Sequence, residues 1–205
     1  MEKNNENYGF FNFELKKETK EETRKKHLDF WMSFLDMITS SIVILVFVVS
    51  VRVFVLEPFT VEGVSMEPTL HTRDYIFIDK LTYRFREPKR GEIVVFEPPD
   101  SRELYIKRII GLPGESIEIT EKGEIYIYSK GGEKKLLSEG YIQTLTIYPM
   151  EKKEIPEGHF FVMGDNRFPG KSRDSRAFGP VPKQEIRGKA FIRIFPISDF
   201  RLFIT

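Results

Sequence analysis

The stretch LYIKRIIGLPGE at Leu104–Glu115 carries the clearest strand and turn signals in this chain of 205 residues. Branched and aromatic side chains dominate its first half, which is typical of a β-strand. Leu112–Glu115 then predicts a type II turn, because proline fixes φ near about −65° and the glycine after it accepts a positive φ. Lys107 and Arg108 interrupt the apolar strand on opposite faces, and we expect at least one of the two side chains to reach solvent.

Six more runs of strand length flank this stretch, separated by segments rich in proline and glycine. They are Tyr75–Ile78, Glu92–Phe96, Ser116–Thr120, Glu124–Tyr128, His159–Met163 and Ala190–Phe195. No segment beyond residue 57 keeps a helical hydrophobic period for three turns. The pattern predicts a mainly β fold over residues 57–205, with a small, more polar β subdomain inserted at about residues 116–158.

Residues 37–56 form an apolar stretch whose only charged side chain is Arg52. At about 1.5 Å per residue, this stretch would make a helix about 30 Å long, which matches the hydrocarbon core of a bilayer. Arg52 lies near one end, where its long side chain reaches the headgroups, and Pro58 predicts the end of the helix. We therefore expect one transmembrane helix at residues 37–56.

Two other interpretations of the apolar stretch are weaker. A cleaved secretory signal begins closer to the N-terminus and ends at a small-x-small site. Here 36 residues precede the stretch and no such site follows it. A core helix of a soluble domain is seldom apolar on every face.

Basic residues flank the apolar stretch unequally. A basic cluster at residues 24–26 precedes it, whereas the next basic residue after Arg52 is Arg73. The positive-inside rule then predicts a cytoplasmic N-terminus, with residues 1–36 as a solvated, partly helical tail. Residues 57–205 would form an extracytoplasmic domain, anchored to the cytoplasmic membrane by a single pass.

Composition excludes several kinds of site and partner. The 32 Lys and Arg residues against 31 Asp and Glu leave a net charge of +1, which argues against nucleic acid binding. The absence of cysteine excludes disulfides, a thiolate nucleophile and sulfur-based zinc sites. The three histidines, His27, His71 and His159, show no metal-ligand spacing. We expect no metal and no cofactor.

Nucleophilic catalysis in this chain needs a base other than a paired histidine. His71 follows Ser65 by six residues, but this spacing alone does not bring the two side chains together. A lysine whose pKa is lowered by burial can replace the imidazole, and Lys107 in its apolar strand is the candidate. Ser65 is the candidate nucleophile, because Gly63 permits unusual backbone geometry beside it. The alternatives are a solvent-facing strand lysine and an ordinary turn serine.

Besides the segments of Ser65 and Lys107, a polar region towards the C-terminus is a candidate part of the site, at Gly164–Arg167 and Ser172–Pro180. It holds more hydrogen-bonding side chains than a simple connection needs. The alternative interpretation is a polar surface loop in which Asp174 and Arg176 form a local ion pair.

Four blocks occur in order behind the apolar stretch: Ser65–Leu70 (SMEPTL), Arg90–Phe96 (RGEIVVF), Tyr105–Glu115 and Gly164–Arg176. Their order and spacing resemble those of the bacterial type I signal peptidases over about Arg52–Pro196. The resemblance implies a signal-peptidase or LexA-like antiparallel β-sheet catalytic core. It also implies a membrane-bound serine endopeptidase that cleaves signal peptides from secreted preproteins after a small-x-small motif.

The resemblance assigns roles to individual residues. Ser65 would attack the scissile carbonyl, and Lys107 would act as general base and then as general acid. Ser172 would hydrogen-bond the lysine and orient it, although the spacer at residues 168–171 is longer than is usual in the family. The backbone N–H of Ser65, next to Gly63, would stabilise the oxyanion. Structural support would come from Asp165, Asn166, Asp174 and Arg176.

The substrate pockets that the resemblance implies are apolar and are formed by Phe59, Val61, Met66, Leu70, Tyr105 and Ile106. They would suit small side chains, such as alanine at the first and third residues before the cut, in a peptide that binds as an extended strand. The expected partners are preproteins and the lipid bilayer, with no nucleic acid. The enzyme would be a monomer near the secretion translocon.

Two other hypotheses stay open. A self-cleaving repressor of LexA-like fold would share the Ser/Lys chemistry, but it needs a DNA-binding helix-turn-helix in place of the apolar stretch, and none is visible. A membrane-anchored β module that binds envelope partners would need no catalytic lysine. That hypothesis predicts that Lys107→Ala leaves function intact.

Overall fold

The computed structural model describes residues 5–142, 146 and 148–203. Helix α1 runs without interruption over Asn5–Phe54. Its part from Glu21 to Phe54 contains a window with a mean hydropathy of 2.4 and, by length and composition, can cross a membrane. The side chains of that window are not buried in the fold. The helix ends before residue 56, because Leu56 already begins the first strand.

In the described chain, twelve strands, two short α-helices and two 3-10 helices, at Lys183–Glu185 and Ile197–Asp199, follow α1. The strands are β1 (Leu56–Thr60), β2 (Tyr75–Asp79), β3 (Ile93–Phe96), β4 (Tyr105–Gly111), β5 (Ser116–Ile119), β6 (Ile125–Tyr128), β7 (Lys134–Leu136), β8 (Met150–Glu154), β9 (His159–Met163), β10 (Val181–Pro182), β11 (Ile186–Phe195) and β12 (Arg201–Leu202). The short helices are α2 (Thr82–Phe85) and α3 (Ser175–Phe178).

The larger sheet has the order β1-β2-β11-β3-β4-β9-β10, with β12 paired to β11. Its described pairings are all antiparallel. Strand β11 lies between β2 and β3, so a strand near the C-terminus joins the N-terminal hairpin to the rest of the sheet. The register of β11 shifts against both neighbours, which lets this long strand bend and curl the sheet.

The core lies on both faces of the larger sheet. Alternate residues of β3 enter two different clusters: Ile93 and Val95 pack on one side, and Val94 and Phe96 on the other. A strand that is buried on both faces reads as a continuous apolar run, as the sequence at Ile93–Phe96 does. Strand β4 lies next to β3 in the sheet and is therefore held deep inside the fold.

A second sheet, with the order β7-β6-β5-β8, occupies the section where the sequence predicts an inserted subdomain. Isoleucines of β5 and β6 form its inner face and pack in one cluster with Ile110 of β4 and with Phe161 and Met163 of β9. This shared cluster attaches the small sheet beside the strand that carries Lys107. Strands β7 and β8 are largely exposed, which is why their sequences show no apolar alternation.

The mainly antiparallel β fold predicted from the sequence is confirmed. Each of the predicted apolar runs corresponds to a strand, with ends that differ by a few residues. The turn at Leu112–Glu115 is also confirmed, since Glu115 N donates to Leu112 O over 3.2 Å and Gly114 has a φ of 75°.

Candidate active site

Ser65 lies in the loop that connects β1 to β2. Backbone hydrogen bonds of 2.9 Å from Val61 N to Asp74 O and from Arg73 N to Val61 O close the base of this loop. Met66 and Leu70, on either side of a tight turn, are buried in the same apolar cluster as Ile93 and Val95 and anchor the loop to the sheet. The serine is thus held on a fixed backbone while its own side chain stays half-buried.

Lys107 lies in the middle of β4, opposite Val94 of β3, and only 4% of its surface is exposed. Its Nζ is 2.7 Å from Ser65 Oγ and 2.8 Å from the Ile106 carbonyl oxygen. Burial lowers the pKa of Lys107 to about 8, against the opposing pull of the Asp174 and Asp165 carboxylates. Near neutral pH this amine therefore exists partly in the form that can accept a proton.

Arg108 points to the other face of β4 and is also buried, with 9% of its surface exposed. The expectation that Lys107 or Arg108 reaches solvent is therefore wrong. Arg108 donates to Asp165 from Nε over 2.9 Å and from Nη2 over 2.6 Å, and the ring of Tyr141 covers its guanidinium at 3.9 Å. Burial is tolerated because the charge is paired and its donors are satisfied, so the pKa of Arg108 is raised despite desolvation.

Asp165 connects the strand of the lysine to the loop of the serine. Besides binding Arg108, its carboxylate accepts a hydrogen bond of 2.6 Å from Thr69 Oγ1, in the loop that carries Ser65. Only 1% of the Asp165 surface is exposed. One buried carboxylate therefore sets the distance between the two elements whose side chains meet at Ser65 and Lys107.

Asn166 reinforces the same connection from the other side of the loop. Its backbone N–H donates to Ser65 O over 3.0 Å, and its side-chain Nδ2 donates to Val64 O over 2.9 Å. Asp165 and Asn166, which the sequence analysis assigned to structural support, are thus both in contact with the serine loop.

Asp174 and Arg176 form a bidentate ion pair, with Nε–Oδ1 at 2.8 Å and Nη2–Oδ2 at 2.7 Å. Burial opposes ionisation of Asp174, but the hydrogen bond and charge of Arg176 outweigh it, so the pKa of Asp174 is lowered. Its carboxylate also accepts from Gly164 N over 3.1 Å and from Ser172 Oγ over 2.7 Å. Asp174 therefore closes the polar segment onto the turn at Gly164.

Ser172 differs from the sequence-based expectation in its partner. Within the described residues its hydroxyl donates to Asp174, and no hydrogen bond joins it to Lys107. It does lie beside the site, because a methyl group on Gly164 would collide with both Ser172 Oγ and the Ser65 carbonyl oxygen. Glycine at residue 164 is needed for this close approach.

The space around the Ser65 backbone is open on one side. Gly63 has a φ of 82°, and a side chain built there would meet no atom within 4 Å. Among the described residues, the Ser65 N–H donates to no acceptor. It is therefore available to a negatively charged oxygen that develops next to the hydroxyl.

A cleft of about 680 Å³ contains both Ser65 and Lys107. Of the predicted pocket residues, Phe59, Tyr105 and Ile106 line this cleft. The other three, Val61, Met66 and Leu70, are buried in the core behind it. The sequence does not single out the other lining residues. Thr60 is the last residue of β1, and the rest lie on irregular backbone without periodicity: Glu62, Val64, Glu103, Leu104, Lys171 and Arg173.

Comparison with known proteins places the chain in a family. The family model for "Signal peptidase, peptidase S26" matches residues 34–195. A signal peptidase I from Leptolyngbya laminosa is 37% identical over 75% of this chain and 75% of its own length. A signal peptidase I from Bacillus amyloliquefaciens is 36% identical over 90% of this chain and 98% of its own.

A crystal structure of a signal peptidase I from Enterococcus faecalis is also similar, with 30% identity and a TM-score of 0.43. It covers 51% of this chain and 97% of its own. The family match and the two relatives extend over most of the chain, and the family match includes the apolar C-terminal part of α1 and every strand except β12. The chain therefore belongs to the signal peptidase family, peptidase S26, and is a serine endopeptidase of the signal peptidase I type.

Proposed function

We propose that this enzyme cleaves signal peptides from preproteins with a Ser65–Lys107 dyad. The observation that carries the proposal is the 2.7 Å approach of Lys107 Nζ to Ser65 Oγ, for a lysine that is 4% exposed and whose pKa is lowered to about 8. A neutral amine at hydrogen-bond distance from a hydroxyl is the arrangement that general-base activation of a serine requires.

The mechanism follows from this geometry. As Ser65 Oγ attacks the scissile carbonyl, its proton passes to Lys107 Nζ, and the Ser65 N–H stabilises the resulting oxyanion. The Lys107 ammonium then gives that proton to the leaving amine, which releases the mature protein and leaves an acyl-enzyme. A water molecule, deprotonated by Lys107, hydrolyses the ester and restores the serine. Burial favours each return of the lysine to its neutral form.

The substrate peptide binds as an extended strand in the cleft, beside β1, which is an edge strand among the described residues. Phe59 and Tyr105 narrow the walls near Ser65, together with Leu104 and Ile106. An apolar wall beside the nucleophile suits small apolar side chains, which supports specificity for a small-x-small motif. Ser172, Asp174 and Arg176 hold the turn at Gly164 against the back of the site.

The membrane arrangement is part of the proposal. Residues 1–36 form the cytoplasmic tail, the apolar part of α1 crosses the cytoplasmic membrane once, and residues 57–205 form the catalytic domain outside. The support is the length and hydropathy of α1 and the basic cluster at residues 24–26. The enzyme acts as a monomer on preproteins that emerge near the translocon.

The pH dependence of kcat/KM tests the lysine. Below its pKa of about 8, Lys107 is protonated and cannot accept the Ser65 proton. The fraction of enzyme with a neutral lysine therefore decreases as the pH is lowered. We expect kcat/KM to rise about tenfold per pH unit between pH 6 and 7 and to level off above about pH 8. Melting temperatures over the same pH range control for unfolding. A profile that is flat from pH 6 to 9 would contradict a lysine base.

Cleavage of a purified preprotein tests the specificity. With alanine at the first and third residues before the cut, we expect processing at that bond, as read by mass spectrometry of the product. Replacing the first alanine by phenylalanine is expected to lower kcat/KM about 100-fold, because a subsite that selects a small side chain excludes a phenyl ring on steric grounds. The same replacement at the second residue is the matched control and should have little effect. Equal losses at both residues would argue against the small-x-small pattern.

A further inference from the structure

The side chain of Arg167 is 0% exposed, and Arg167 is the largest of the fully buried side chains in the described chain. Its carboxylate partner is Glu139, whose side chain is 3% exposed. Arg167 Nη1 donates to Glu139 Oε2 over 2.8 Å, and Nη2 donates to Glu139 Oε1. Arg167 Nη1 also donates to Thr146 Oγ1 over 3.2 Å. Glu139 and Thr146 both belong to the connection between β7 and β8, in the small sheet.

The remaining donor of the Arg167 guanidinium, Nε, faces the active site. Arg167 Nε donates to the Gly164 carbonyl oxygen over 2.7 Å. Gly164 begins the turn that touches the Ser65 carbonyl and Ser172, and that continues into Asp165 and Asn166. Arg167 therefore ties the conformation of this turn to a carboxylate that comes from the small sheet.

Glu139 also reaches the second buried guanidinium. Its Oε1 accepts a hydrogen bond of 2.6 Å from the Tyr141 hydroxyl, and the Tyr141 ring covers Arg108 at 3.9 Å. Burial raises the pKa of Tyr141 above its ordinary value, so the phenol stays protonated and keeps donating. Arg108 is the residue next to Lys107. The Glu139 carboxylate thus acts on both sides of the dyad. Through Tyr141 it reaches Arg108, the neighbour of Lys107, and through Arg167 it reaches the turn that contacts Ser65.

Stability alone does not account for such a pair. A buried ion pair often stabilises a fold no more than apolar side chains of the same volume, whereas its directional bonds fix geometry. A planar guanidinium that donates to a carboxylate on one side and to a carbonyl on the other holds both at set distances.

We propose that Glu139 is a positioning residue for the Ser65–Lys107 dyad, acting through Arg167 on the turn at Gly164–Arg167. This inference rests on the dyad proposed above. The small sheet is then a brace for catalysis in addition to a cover for the core.

The test compares variants of the full chain in detergent by preprotein cleavage and thermal melting. Glu139→Gln removes the charge that Arg167 needs and is expected to lower kcat about 10- to 100-fold, with KM changed less than about twofold and a lower melting temperature. Glu151→Gln is the matched control, because Glu151 is an exposed glutamate on β8 of the same small sheet. We expect wild-type kcat from it.

A double variant separates positioning from stability. Glu139→Leu with Arg167→Met removes both buried charges, so the melting temperature is expected to recover. The bond to Gly164 O stays missing, so kcat is expected to remain low. Recovery of kcat together with the melting temperature would overturn the proposal. Wild-type kcat in Glu139→Gln would overturn it too.

Ser65→Ala, measured in the same assay, distinguishes failure of the positioning role of Glu139 from failure of the proposed dyad. Loss of turnover in Ser65→Ala with normal turnover in Glu139→Gln refutes only the positioning role. Turnover that survives Ser65→Ala refutes the dyad itself, and the positioning role with it.

Discussion

Lys107→Met is expected to lower kcat for preprotein cleavage by roughly 10⁴-fold, and Ser65→Ala by a similar factor. Methionine keeps most of the volume of the lysine stem but has no amine within 2.7 Å of Ser65 Oγ, so the hydroxyl loses its base. In the proposed dyad both residues act on one proton, so the double variant should be no slower than either single variant. Single-turnover cleavage by the purified chain measures the loss.

The matched control for this substitution is Lys122→Met, in the exposed turn between β5 and β6. It should leave turnover unchanged. Lys107→Arg should be as inactive as Lys107→Met, because a guanidinium does not release its proton at usable pH. Turnover near wild type in Lys107→Met would refute the assignment of the base.

Folding of Lys107→Met can be checked independently, because its stability has a predicted sign. The pKa of Lys107 is about 8 when folded and has an ordinary value of 10.5, so the unfolded chain binds more protons between these values. Wild-type stability therefore rises with pH across that window, and below it the buried ammonium costs about 3 kcal/mol. Lys107→Met should be at least as stable as the wild type at pH 7.

Asp165→Ala is expected to lower the free energy of unfolding by about 3–5 kcal/mol, the second large effect. It strips the buried Arg108 guanidinium of its carboxylate and leaves the Thr69 hydroxyl without its acceptor. Urea denaturation of the purified chain measures the loss. Activity should fall as well, because the carboxylate spans the serine loop and the lysine strand.

Asp100→Ala gives the comparison for that measurement. Asp100 pairs with Arg173, but the two side chains are 40% and 51% exposed, so solvent screens the pair. We expect a loss below about 1 kcal/mol. If Asp165→Ala lowered the free energy of unfolding no more than Asp100→Ala does, the contacts of Asp165 with Arg108 and Thr69 would not stabilise the fold.

Sequence periodicity was sufficient for the strands that are buried, such as β3 and β4, because alternation and apolar runs record burial directly. It missed β7 and β8, whose side chains face solvent and leave no pattern. It also missed β1 and β10, which contain proline, and the two-residue strand β12. The motif blocks identified Ser65 and Lys107 as candidates, and the structure places the two side chains in contact.

Other features of the site depend on contacts between distant segments, which periodicity does not contain. Arg108 is buried because Asp165, 57 residues later, supplies its carboxylate. Arg167 and Glu139 are 28 residues apart in sequence and carry no local signal of their pairing. Met66 proved to be core rather than cleft wall for a similar reason, since only the fold decides which side of a loop is covered.

The position of β11 bears on when the enzyme becomes active. The β1–β2 hairpin carries Ser65 in its connection, β4 carries Lys107, and β11 is the strand that joins the two parts of the sheet. Since β11 spans Ile186–Phe195, both reactive groups leave the ribosome well before the strand that brings them together. A nascent chain that still lacks β11 contains Ser65 and Lys107, but not the strand that joins their two parts of the sheet. We therefore expect the contact between Ser65 and Lys107 to form only after β11 has been synthesised and has joined the sheet.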